Sequence, residues 1–459
     1  MSYAASGSTS RKTMSGKRKT VAAITLGCKV NAYDTESMLE LFRAAGYAVL
    51  DISADSDINN NFDEADVYII NTCSVTAVAD KKSRQAARRI AERHPKAIIA
   101  VAGCYAQNKT EEALSLPGVH IVAGAKNRAL IVDLVENYNR NGGIINGVTG
   151  YNKSNGFENL PVSGLEGRTR AFVKIQDGCE NFCSYCIIPY VRGPVRSRRI
   201  EDIKSEARSV AEAGVKEIVV SGISVASYGV DLDGRLSLAD ALYAIASAPG
   251  AGRIRLSSVG PSAIDEAFLR AYAELPICPH VHLSLQSGCG RTLKRMNRRY
   301  TPEDYRRAIY KLRDVKPDTA ITTDIITGFP GETEEDFEES MAFVTEQRLA
   351  ALHVFPYSRR DGTAAAAMDN QVPKAEREGR ARRFIRLGEE LRRDYKSAFI
   401  GSVQDVLFER ETDSGVFRGF TPNYIEVTSK FLGNSQSIIN NILPVVLAED
   451  YSEIVIRPT

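Results

Sequence analysis

The sequence predicts an α/β protein with three folded domains, and three observations lead to this fold class. Short apolar segments typical of strands alternate with helical patterns over most of the chain. A Gly- and Asn-rich stretch interrupts this alternation, and near the C-terminus it gives way to short strands of alternating polarity. We therefore expect a disordered basic tail at 1–19, an N-terminal parallel α/β sandwich at 20–140, a linker at 141–168, a partial (βα)6 barrel at 169–397 and a small β-barrel at 398–459.

Composition and charge are those of an ordinary globular protein. Hydrophobic residues make up 43% of the 459 residues and charged residues 25%. The net charge of +2 arises from 59 basic and 57 acidic residues, so any affinity for nucleic acid must come from local patches. No secretory signal follows the basic tail, no apolar run approaches the roughly 20 residues of a membrane span, and eight cysteines are too sparse for a disulfide scaffold. We expect a cytoplasmic protein with no membrane partner.

In the N-terminal domain, three apolar runs each end at a cysteine. The runs precede Cys28, Cys73 and Cys104, and a fourth run at 119–122 continues the pattern. Helical segments lie between the runs, so the strands should be parallel and their carboxyl ends should share one edge of the sheet. The three thiols should meet at that edge, and this favours a cluster site over ordinary buried cysteines.

The central domain contains six strand-like segments separated by helical ones. Six strand–helix units are too few to close the usual eight-stranded barrel, so we expect an open one. The turn Gly328-Phe329-Pro330-Gly331-Glu332 after the fifth strand should bring backbone close to a ligand. The six segments lie at 171–175, 217–221, 253–257, 280–285, 320–326 and 353–355.

Cys179, Cys183 and Cys186 follow the first of these strands with the spacing Cys-x3-Cys-x2-Cys. A tetrahedral zinc ion or an iron–sulfur cubane normally takes four protein ligands, and no further Cys or His follows until Cys278 and His280. Three thiolates on a cubane would leave one iron free to bind another ligand. The alternatives are a zinc site that borrows a distant ligand and ordinary buried cysteines. Cys278 and Cys289 lack such partners, and we predict that they are structural; Cys289 lies in the sequence QSGCG.

The three-cysteine loop resembles that of the radical-SAM superfamily, in which it holds a 4Fe–4S cluster whose open iron binds S-adenosylmethionine (SAM). The blocks LGCKVNAYDTE, NTCSVT and AGCYAQ around the other three cysteines resemble the methylthiotransferases of that superfamily, and the similarity covers nearly the whole chain. The resemblance implies a radical-SAM barrel in the centre and a second 4Fe–4S cluster on Cys28, Cys73 and Cys104. It also implies that an external flavodoxin- or ferredoxin-like donor supplies one electron to cleave SAM.

The same resemblance suggests residues that contact SAM. Tyr185 occupies the position of an aromatic near the adenine, and Arg298 could neutralise a carboxylate. The second strand ends in Ser221-Gly222-Ile223-Ser224 instead of the Gly-Gly-Glu of many radical-SAM enzymes, so the usual side-chain contact to the methionine amine is not predicted there. Further candidates at strand ends are Gln286, Ser287, Asp324, Phe355 and Tyr357.

The C-terminal part carries features of RNA binding. The segment 374–396 contains nine basic residues, and its pattern predicts a helix with one apolar and one cationic face, although a solvated face is the default interpretation. The segment that follows, with GFTPNYIEV at its centre, resembles the TRAM domain, a small barrel associated with tRNA binding. Phe417, Phe420 and Tyr424 could stack on unpaired bases, and core packing should take at least one of them.

The resemblance as a whole implies a tRNA methylthiotransferase. GCKVN around Cys28 resembles the branch that converts N6-threonylcarbamoyladenosine, next to the anticodon, into its 2-methylthio derivative, and an Arg or Lys should then bind the threonylcarbamoyl carboxylate. The branch that acts on isopentenyladenosine typically has GCQMN, and a third branch modifies a ribosomal-protein aspartate. A non-catalytic Fe–S protein that binds RNA or transfers electrons is the alternative from a different class.

Overall fold

The structure is a computed structural model that describes residues 18–50, 64–151, 156–160, 162, 168–431, 438–450 and 453–454. The predicted tail at 1–19 lies outside the described residues except for its last two positions. Within the described ranges, no helix combines the length and the apolar character that a membrane crossing requires.

The N-terminal part is built on a six-stranded sheet in which every pairing is parallel. Its strands are β1 (Thr20–Thr25), β2 (Ala48–Leu50), β3 (Val67–Thr72), β4 (Ile98–Gly103), β5 (Ile121–Val122) and β6 (Ile145–Asn146), in the order β2-β1-β3-β4-β5-β6. Its helices are α1 (Lys29–Ala44), α2 (Ala77–Arg93), α3 (Cys104–Asn108), α4 (Thr110–Leu114) and α5 (Ile131–Asn141). The predicted parallel sheet is confirmed, and β6 extends it into the stretch predicted as a linker.

The burial of strand β3 shows that helices cover the N-terminal sheet on both faces. All six residues of VYIINT are buried, which is the burial expected for a central parallel strand. Tyr68 and Ile70 pack on one side with Ile90 of α2, whereas Ile69 packs on the other side with Phe42 of α1. Helix α1 begins directly after Cys28, so the first cysteine stands at a strand–helix junction.

The central part is an open barrel of six main parallel strands. Its strands are β7 (Arg170–Asp177), β8 (Arg196–Ser197), β9 (Glu217–Gly222), β10 (Arg253–Leu256), β11 (Ser258–Val259), β12 (His280–Leu283), β13 (Ala320–Thr327) and β14 (Ala351–Pro356). Its helices are α6 (Ile188–Arg192), α7 (Ile200–Glu212), α8 (Leu238–Ala246), α9 (Glu266–Glu274), α10 (Gly290–Arg295), α11 (Pro302–Val315), α12 (Glu334–Glu346) and α13 (Lys374–Ser397). All six predicted strands are present.

The main strands follow one another around the barrel. The pairings run β8-β7-β9-β10 in one sheet and β11-β12-β13-β14 in the next, and only Ser257 separates β10 from β11. Strand β8 pairs antiparallel with β7, whereas β7, β9 and β10 are parallel, as are β11 to β14. Among the described strands β7 and β14 do not pair, so the barrel is open, as the count of six units predicts.

The C-terminal part is a five-stranded antiparallel sheet. Its strands are β15 (Val403–Asp413), β16 (Val416–Phe420), β17 (Glu426–Lys430), β18 (Ile442–Val446) and β19 (Glu453–Ile454), in the order β17-β16-β15-β18-β19. The end strands β17 and β19 lie close to each other, as in a small barrel. Phe417 is 1% exposed and belongs to the core of this sheet, which confirms that packing takes one of the three predicted aromatics.

A buried ionic network joins the N-terminal sheet to the barrel. The carboxylate of Asp34 on α1 accepts hydrogen bonds from Lys174 at 2.7 Å, Arg128 at 2.8 Å and Arg192 at 2.9 Å. Lys174 also donates to Asp177 at 2.7 Å. Burial alone would raise the pKa of Asp34, but the three cations together hold that pKa below its usual value. The two parts therefore share charges that neither could bury alone.

Candidate active site

The loop of Cys179, Cys183 and Cys186 leaves the carboxyl end of β7 and is fixed by its own backbone. The N–H of Cys179 donates to Gly193 O at 3.0 Å, and the N–H of Cys186 donates to Cys183 O at 2.9 Å. Phe182 adopts a left-handed φ of 46°, which turns the chain between the first two cysteines. The three thiols line one cavity of about 1770 Å³.

The thiols of this loop are suited to binding a cation. Burial raises the pKa of Cys186 to about 12 and also raises the pKa of Cys179, where a hydrogen bond from Ser224 opposes the rise. Buried thiols of this kind remain protonated at neutral pH unless a metal centre binds the thiolates and releases the protons. The donor set therefore fits a metal centre.

Cys28, Cys73 and Cys104 converge at the carboxyl edge of the N-terminal sheet, as the topology predicts. Burial raises the pKa of Cys73 to about 12, and the nearby thiols of Cys104 and Cys28 raise it further. Cys73 and Cys104 are buried, whereas Cys28 is exposed and lines the same cavity as the three-cysteine loop. Cys28 thus connects the N-terminal group to the cavity that the three-cysteine loop lines.

The distances between the cysteine sulfur atoms distinguish between a zinc ion and an iron–sulfur cubane as the metal centre of each group. Among the described residues, neither group has all three sulfur atoms within 4.8 Å of one another. A tetrahedral zinc ion with Zn–S bonds of about 2.3 Å would bring its sulfur ligands to about 3.8 Å from each other. A cubane holds each cysteine on a different iron and spaces the sulfurs more widely, so it fits both groups better than zinc does.

Gly27 leaves room for the second group. Its φ is +106°, and a Cβ atom placed there would lie 2.7 Å from Cys73 Cβ and 2.9 Å from Cys73 Sγ. We expect Gly27→Ala to displace Cys73 and to lower the iron bound by Cys28, Cys73 and Cys104. The measurement is iron per chain in a protein whose other three cluster cysteines are replaced by alanine.

Gly46→Ala is the matched control for this substitution. Gly46 has a similar φ of +91°, but no atom lies within 4 Å of the added Cβ. Both variants pay the same backbone strain, of about 1 kcal/mol, and only Gly27→Ala should lose iron. Equal iron in the two variants would contradict the contact argument.

One arginine donates to a cysteine sulfur in each group. Arg298 Nη1 lies 3.2 Å from Cys183 Sγ, and its Nε donates to the Tyr300 hydroxyl at 2.9 Å. Arg192 Nε lies 3.3 Å from Cys104 Sγ. Arg192 follows the three-cysteine loop in the chain yet contacts the other group, so residues of the barrel complete the N-terminal site.

We expect Arg298→Gln to make the reduction potential of a cluster on the loop more negative. Removing a positive charge and an N–H···S hydrogen bond destabilises the reduced, more negative cluster relative to the oxidised one. Redox titration followed by electron paramagnetic resonance measures the potential. Arg299→Gln is the control, because Arg299 lines the same cavity and is exposed. A potential that moves equally in both variants would assign the effect to net charge alone.

The structure separates the predicted SAM contacts into two sets. Tyr185, Arg298 and Asp324 line the cavity. The other four pack outside the described lining: Gln286 and Ser287 are buried, Tyr357 is buried against Phe329, and Phe355 is exposed. All seven SAM contacts remain predictions, and Tyr185, Arg298 and Asp324 are the three that line the cavity in which SAM would bind. Gly328 and Gly331 of the turn after β13 have left-handed φ values, and the close neighbour of Gly328 is the Arg377 side chain of α13.

Cys278 and Cys289 lie apart from both groups. Both are buried and outside the described cavity lining. Cys278 Sγ lies 3.9 Å from Glu217 Oε2, and Cys289 Sγ lies 3.4 Å from Asp336 Oδ1. These surroundings agree with the structural role predicted for them.

The C-terminal sheet brings aromatic and basic side chains to the same cavity. Phe420 and Tyr424 are stacked with ring centroids 4.9 Å apart, and Tyr424 also lies 4.7 Å from the ring of His280. Arg392 and Lys396 of α13 line the opening. Elsewhere on α13, Arg380 and Arg383 are occupied by ion pairs with glutamates of the barrel, so only part of the predicted cationic face is free for a ligand.

Sequence reasoning missed three features of the site. Arg192 gave no signal, because its contacts with Asp34 and Cys104 cross between distant parts of the chain. Ser224 was noted only for a departure from a motif. His282 and His353 stand on β12 and β14, with Asp324 on β13 between them. The alternation His280-Val281-His282 in a predicted strand was the signal that could have placed two histidines on one face.

Comparison with known families and proteins agrees with this architecture. Residues 173–344 match the Radical SAM superfamily, and residues 20–124 match Uncharacterized protein family UPF0004. In fold, the chain is similar to the radical S-adenosylmethionine methyltransferase TsrM from Kitasatospora setae, with a TM-score of 0.55 and 15% identity over 76% of this chain and 77% of that one.

Curated relatives match over almost the full length. Threonylcarbamoyladenosine tRNA methylthiotransferase MtaB of Bacillus subtilis (strain 168) is 40% identical over 93% of both chains. The protein of the same name from Thermotoga maritima is 36% identical over 94% of this chain and 96% of its own. The tRNA-2-methylthio-N(6)-dimethylallyladenosine synthase of Caldicellulosiruptor saccharolyticus is 38% identical over 86% of this chain and 83% of its own. With these relatives and the two matched domains, the chain belongs to the radical-SAM methylthiotransferase family.

Proposed function

We propose that the protein is a tRNA methylthiotransferase that converts N6-threonylcarbamoyladenosine, next to the anticodon, into its 2-methylthio derivative. The observation that carries this proposal is that the three-cysteine loop and Cys28 of the second cysteine group line one cavity, which the C-terminal sheet also lines. The division of labour follows the predicted domains: 20–140 for sulfur transfer, 169–397 for radical generation and 398–459 for holding RNA.

Each cysteine group would hold one 4Fe–4S cluster. Cys179, Cys183 and Cys186 would bind the cluster that takes SAM, and Cys28, Cys73 and Cys104 would bind the second. When bound, these groups supply radical chemistry at an unreactive adenine C–H bond and the sulfur to be inserted. Arg298 and Arg192 would each hold an N–H group toward one cysteine of a cluster, at Cys183 and Cys104. An external one-electron donor is required, because the chain itself has no further redox group in this scheme.

The cavity wall near the C-terminal sheet has the chemistry of a nucleotide site. Phe420 and Tyr424 stack on each other, and Arg170 and Arg255 lie over their rings. A base would therefore contact the exposed part of the Tyr424 ring. Arg392 and Lys396 place positive charge at the opening, where phosphates would lie. Arg299, Arg392 and Lys396 are candidates for the carboxylate of the threonylcarbamoyl group.

Dimethylallyladenosine is the second candidate substrate. It is favoured by the 38% identity to the Caldicellulosiruptor saccharolyticus enzyme, whose name states that substrate. The threonylcarbamoyl assignment rests on the higher identity and fuller coverage of the Bacillus subtilis relative. The GCKVN sequence around Cys28 supports the same choice.

Two experiments test the proposal. Anaerobic reconstitution should give about eight irons per chain and SAM cleavage on reduction, whereas a non-catalytic Fe–S protein would cleave no SAM. The substrate is tested with two anticodon stem-loop RNAs that differ only in the N6 substituent, threonylcarbamoyl or dimethylallyl, and with mass spectrometry of the product nucleosides. A 2-methylthio product on the dimethylallyl RNA alone would replace the first substrate by the second.

A further inference from the structure

A row of polar side chains crosses the inner face of β12, β13 and β14 in the cavity. His282 Nε2 lies 3.2 Å from Asp324 Oδ2, and Asp324 Oδ1 lies 3.3 Å from His353 Nδ1. On the other side of His282, its Nδ1 is 3.0 Å from the Thr322 hydroxyl, which is 3.3 Å from His280 Nε2. Three of the five histidines of the chain therefore stand in one hydrogen-bonded row.

The direction of these hydrogen bonds follows from the aspartate. Two neighbouring imidazoles hold the pKa of Asp324 below its usual value although burial opposes this, so the ionised carboxylate can only accept. His282 Nε2 and His353 Nδ1 must then both donate. His282 Nδ1 accepts from the Thr322 hydroxyl, and the Thr322 oxygen accepts from His280. Every hydrogen in the row is thereby assigned.

At the buried end of the row, His280 Nδ1 has no hydrogen-bond partner, and at the exposed end one nitrogen of His353 also has none. With Nδ1 of His353 donating to Asp324, the Nε2 atom of the neutral ring is a hydrogen-bond acceptor, and it has no partner among the described residues. The side chain of His353 is 57% exposed, compared with 11% for His282, and His353 lines the cavity. The ring planes of His282 and His353 are nearly parallel, at 19° with centroids 5.3 Å apart, which fixes the orientation of the exposed ring.

We propose that this row reads the polar substituent on N6 of the substrate adenine, with His353 Nε2 accepting a hydrogen bond from a hydroxyl or amide N–H of the threonylcarbamoyl group. The inference rests on the proposed function and adds a specificity-determining residue to it. Asp324 is a positioning residue, because it acts through the imidazole of His353.

The chemistry of the two candidate substrates gives the reason. A dimethylallyl group has no polar atom of its own. It would therefore exclude water from His353 Nε2 and from the exposed part of Asp324 without offering either of them a hydrogen bond in return. A site built to hydrogen-bond a hydroxyl or N–H rejects an analogue that lacks the group far more strongly than an apolar pocket rejects an added hydroxyl. The row therefore favours threonylcarbamoyladenosine over dimethylallyladenosine.

Two substitutions of His353 distinguish the roles of its two nitrogen atoms. Asparagine places its amide near the Nδ1 position and keeps a donor to Asp324, but it leaves nothing at the Nε2 position. Glutamine is longer and carries an acceptor oxygen to the Nε2 position. His94→Gln is the control, because His94 stacks on Tyr68 of the N-terminal sheet and is outside the described cavity lining.

The experiment uses the full reconstituted chain and the two stem-loop RNAs defined above. We measure kcat/KM for methylthiolation, the Kd of each RNA by fluorescence anisotropy, and SAM cleavage without RNA. His353→Asn should lower kcat/KM for the threonylcarbamoyl RNA at least about tenfold, which is one lost hydrogen bond of about 1.4 kcal/mol. It should not weaken binding of the dimethylallyl RNA, and any fall in SAM cleavage without RNA should be smaller than the fall in kcat/KM for the threonylcarbamoyl RNA. His353→Gln should recover part of the loss.

Three results would overturn the inference: an equal fall for both RNAs, a fall in SAM cleavage that parallels the fall in methylthiolation, or no change in either RNA. Failure of the proposed function has a different signature, because the unsubstituted protein would then leave the threonylcarbamoyl RNA unmodified before any variant is compared.

Discussion

A variant with Cys179, Cys183 and Cys186 all replaced by alanine is expected to bind about four irons per chain instead of about eight and to cleave no SAM. These three thiols are the only cysteine or histidine ligands that the loop offers to its cluster, so no partial site should survive their removal. Iron analysis after anaerobic reconstitution and chromatographic detection of 5′-deoxyadenosine measure the two effects.

The second cysteine group provides the matched comparison. Replacing Cys28, Cys73 and Cys104 by alanine should also leave about four irons, but SAM cleavage on reduction should continue while methylthiolation is lost. Cys289→Ala is the control, since Cys289 is buried outside the described cavity lining and should keep the full iron content. If both triple variants lost SAM cleavage to the same extent, the separate roles of the two groups would be wrong.

The largest effect on stability is expected for Asp34→Ala. This change leaves Lys174, Arg192 and Arg128 in a buried region with one carboxylate fewer. Removing one partner from a buried ionic network costs about 3–5 kcal/mol, because the remaining charges stay desolvated. Urea denaturation followed by circular dichroism should therefore show the first unfolding transition at a clearly lower urea concentration.

Glu201→Gln is the control for this prediction. The ion pair between Glu201 and Lys204 spans 3.3 Å and is largely exposed to solvent. Its loss should cost less than about 1 kcal/mol. A similar shift in both variants would mean that the buried network does not join the two parts in the way that its geometry indicates.

The network also sets a pH dependence of stability. The pKa values of Asp34 and Asp177 are lower in the folded protein than in the unfolded chain, because the surrounding cations outweigh the effect of burial. Their contribution is therefore complete above the unfolded pKa, about 4, and it is lost as pH falls through the lower folded values. Asp34→Ala should show a smaller loss of stability between pH 5 and 3 than the unsubstituted protein, a window of about two units around that pKa.

The strands that the sequence predicted share one property. β3 and β4 are continuous apolar runs, and continuous burial on both faces leaves no polar interruption to confuse the pattern. The strands it missed, β2, β6, β8 and β11, have two or three residues each and lie at edges or beside a break. So short a segment has too few side chains to display a period.

The cysteine positions were predictable for a topological reason. Once β1, β3 and β4 are parallel neighbours, their carboxyl ends must lie side by side, and a cysteine follows each of them in the chain. No topological constraint of this kind fixes which way the side chains of the predicted SAM contacts point. Asp324 lines the cavity, whereas Gln286, three residues beyond β12 with a left-handed φ of 71°, lies outside the described lining.

By itself, the sequence determined the fold class, the two cysteine groups and the sheet edge at which Cys28, Cys73 and Cys104 converge. These depend on local periodicity and on the fixed geometry of parallel strands. Only the tertiary structure decided that Cys28 and the three-cysteine loop line one cavity, that Arg192 crosses to Cys104, and that Asp324 stands between two histidines. These are contacts between residues distant in the chain, and their positions depend on how whole domains pack rather than on any pattern within one segment.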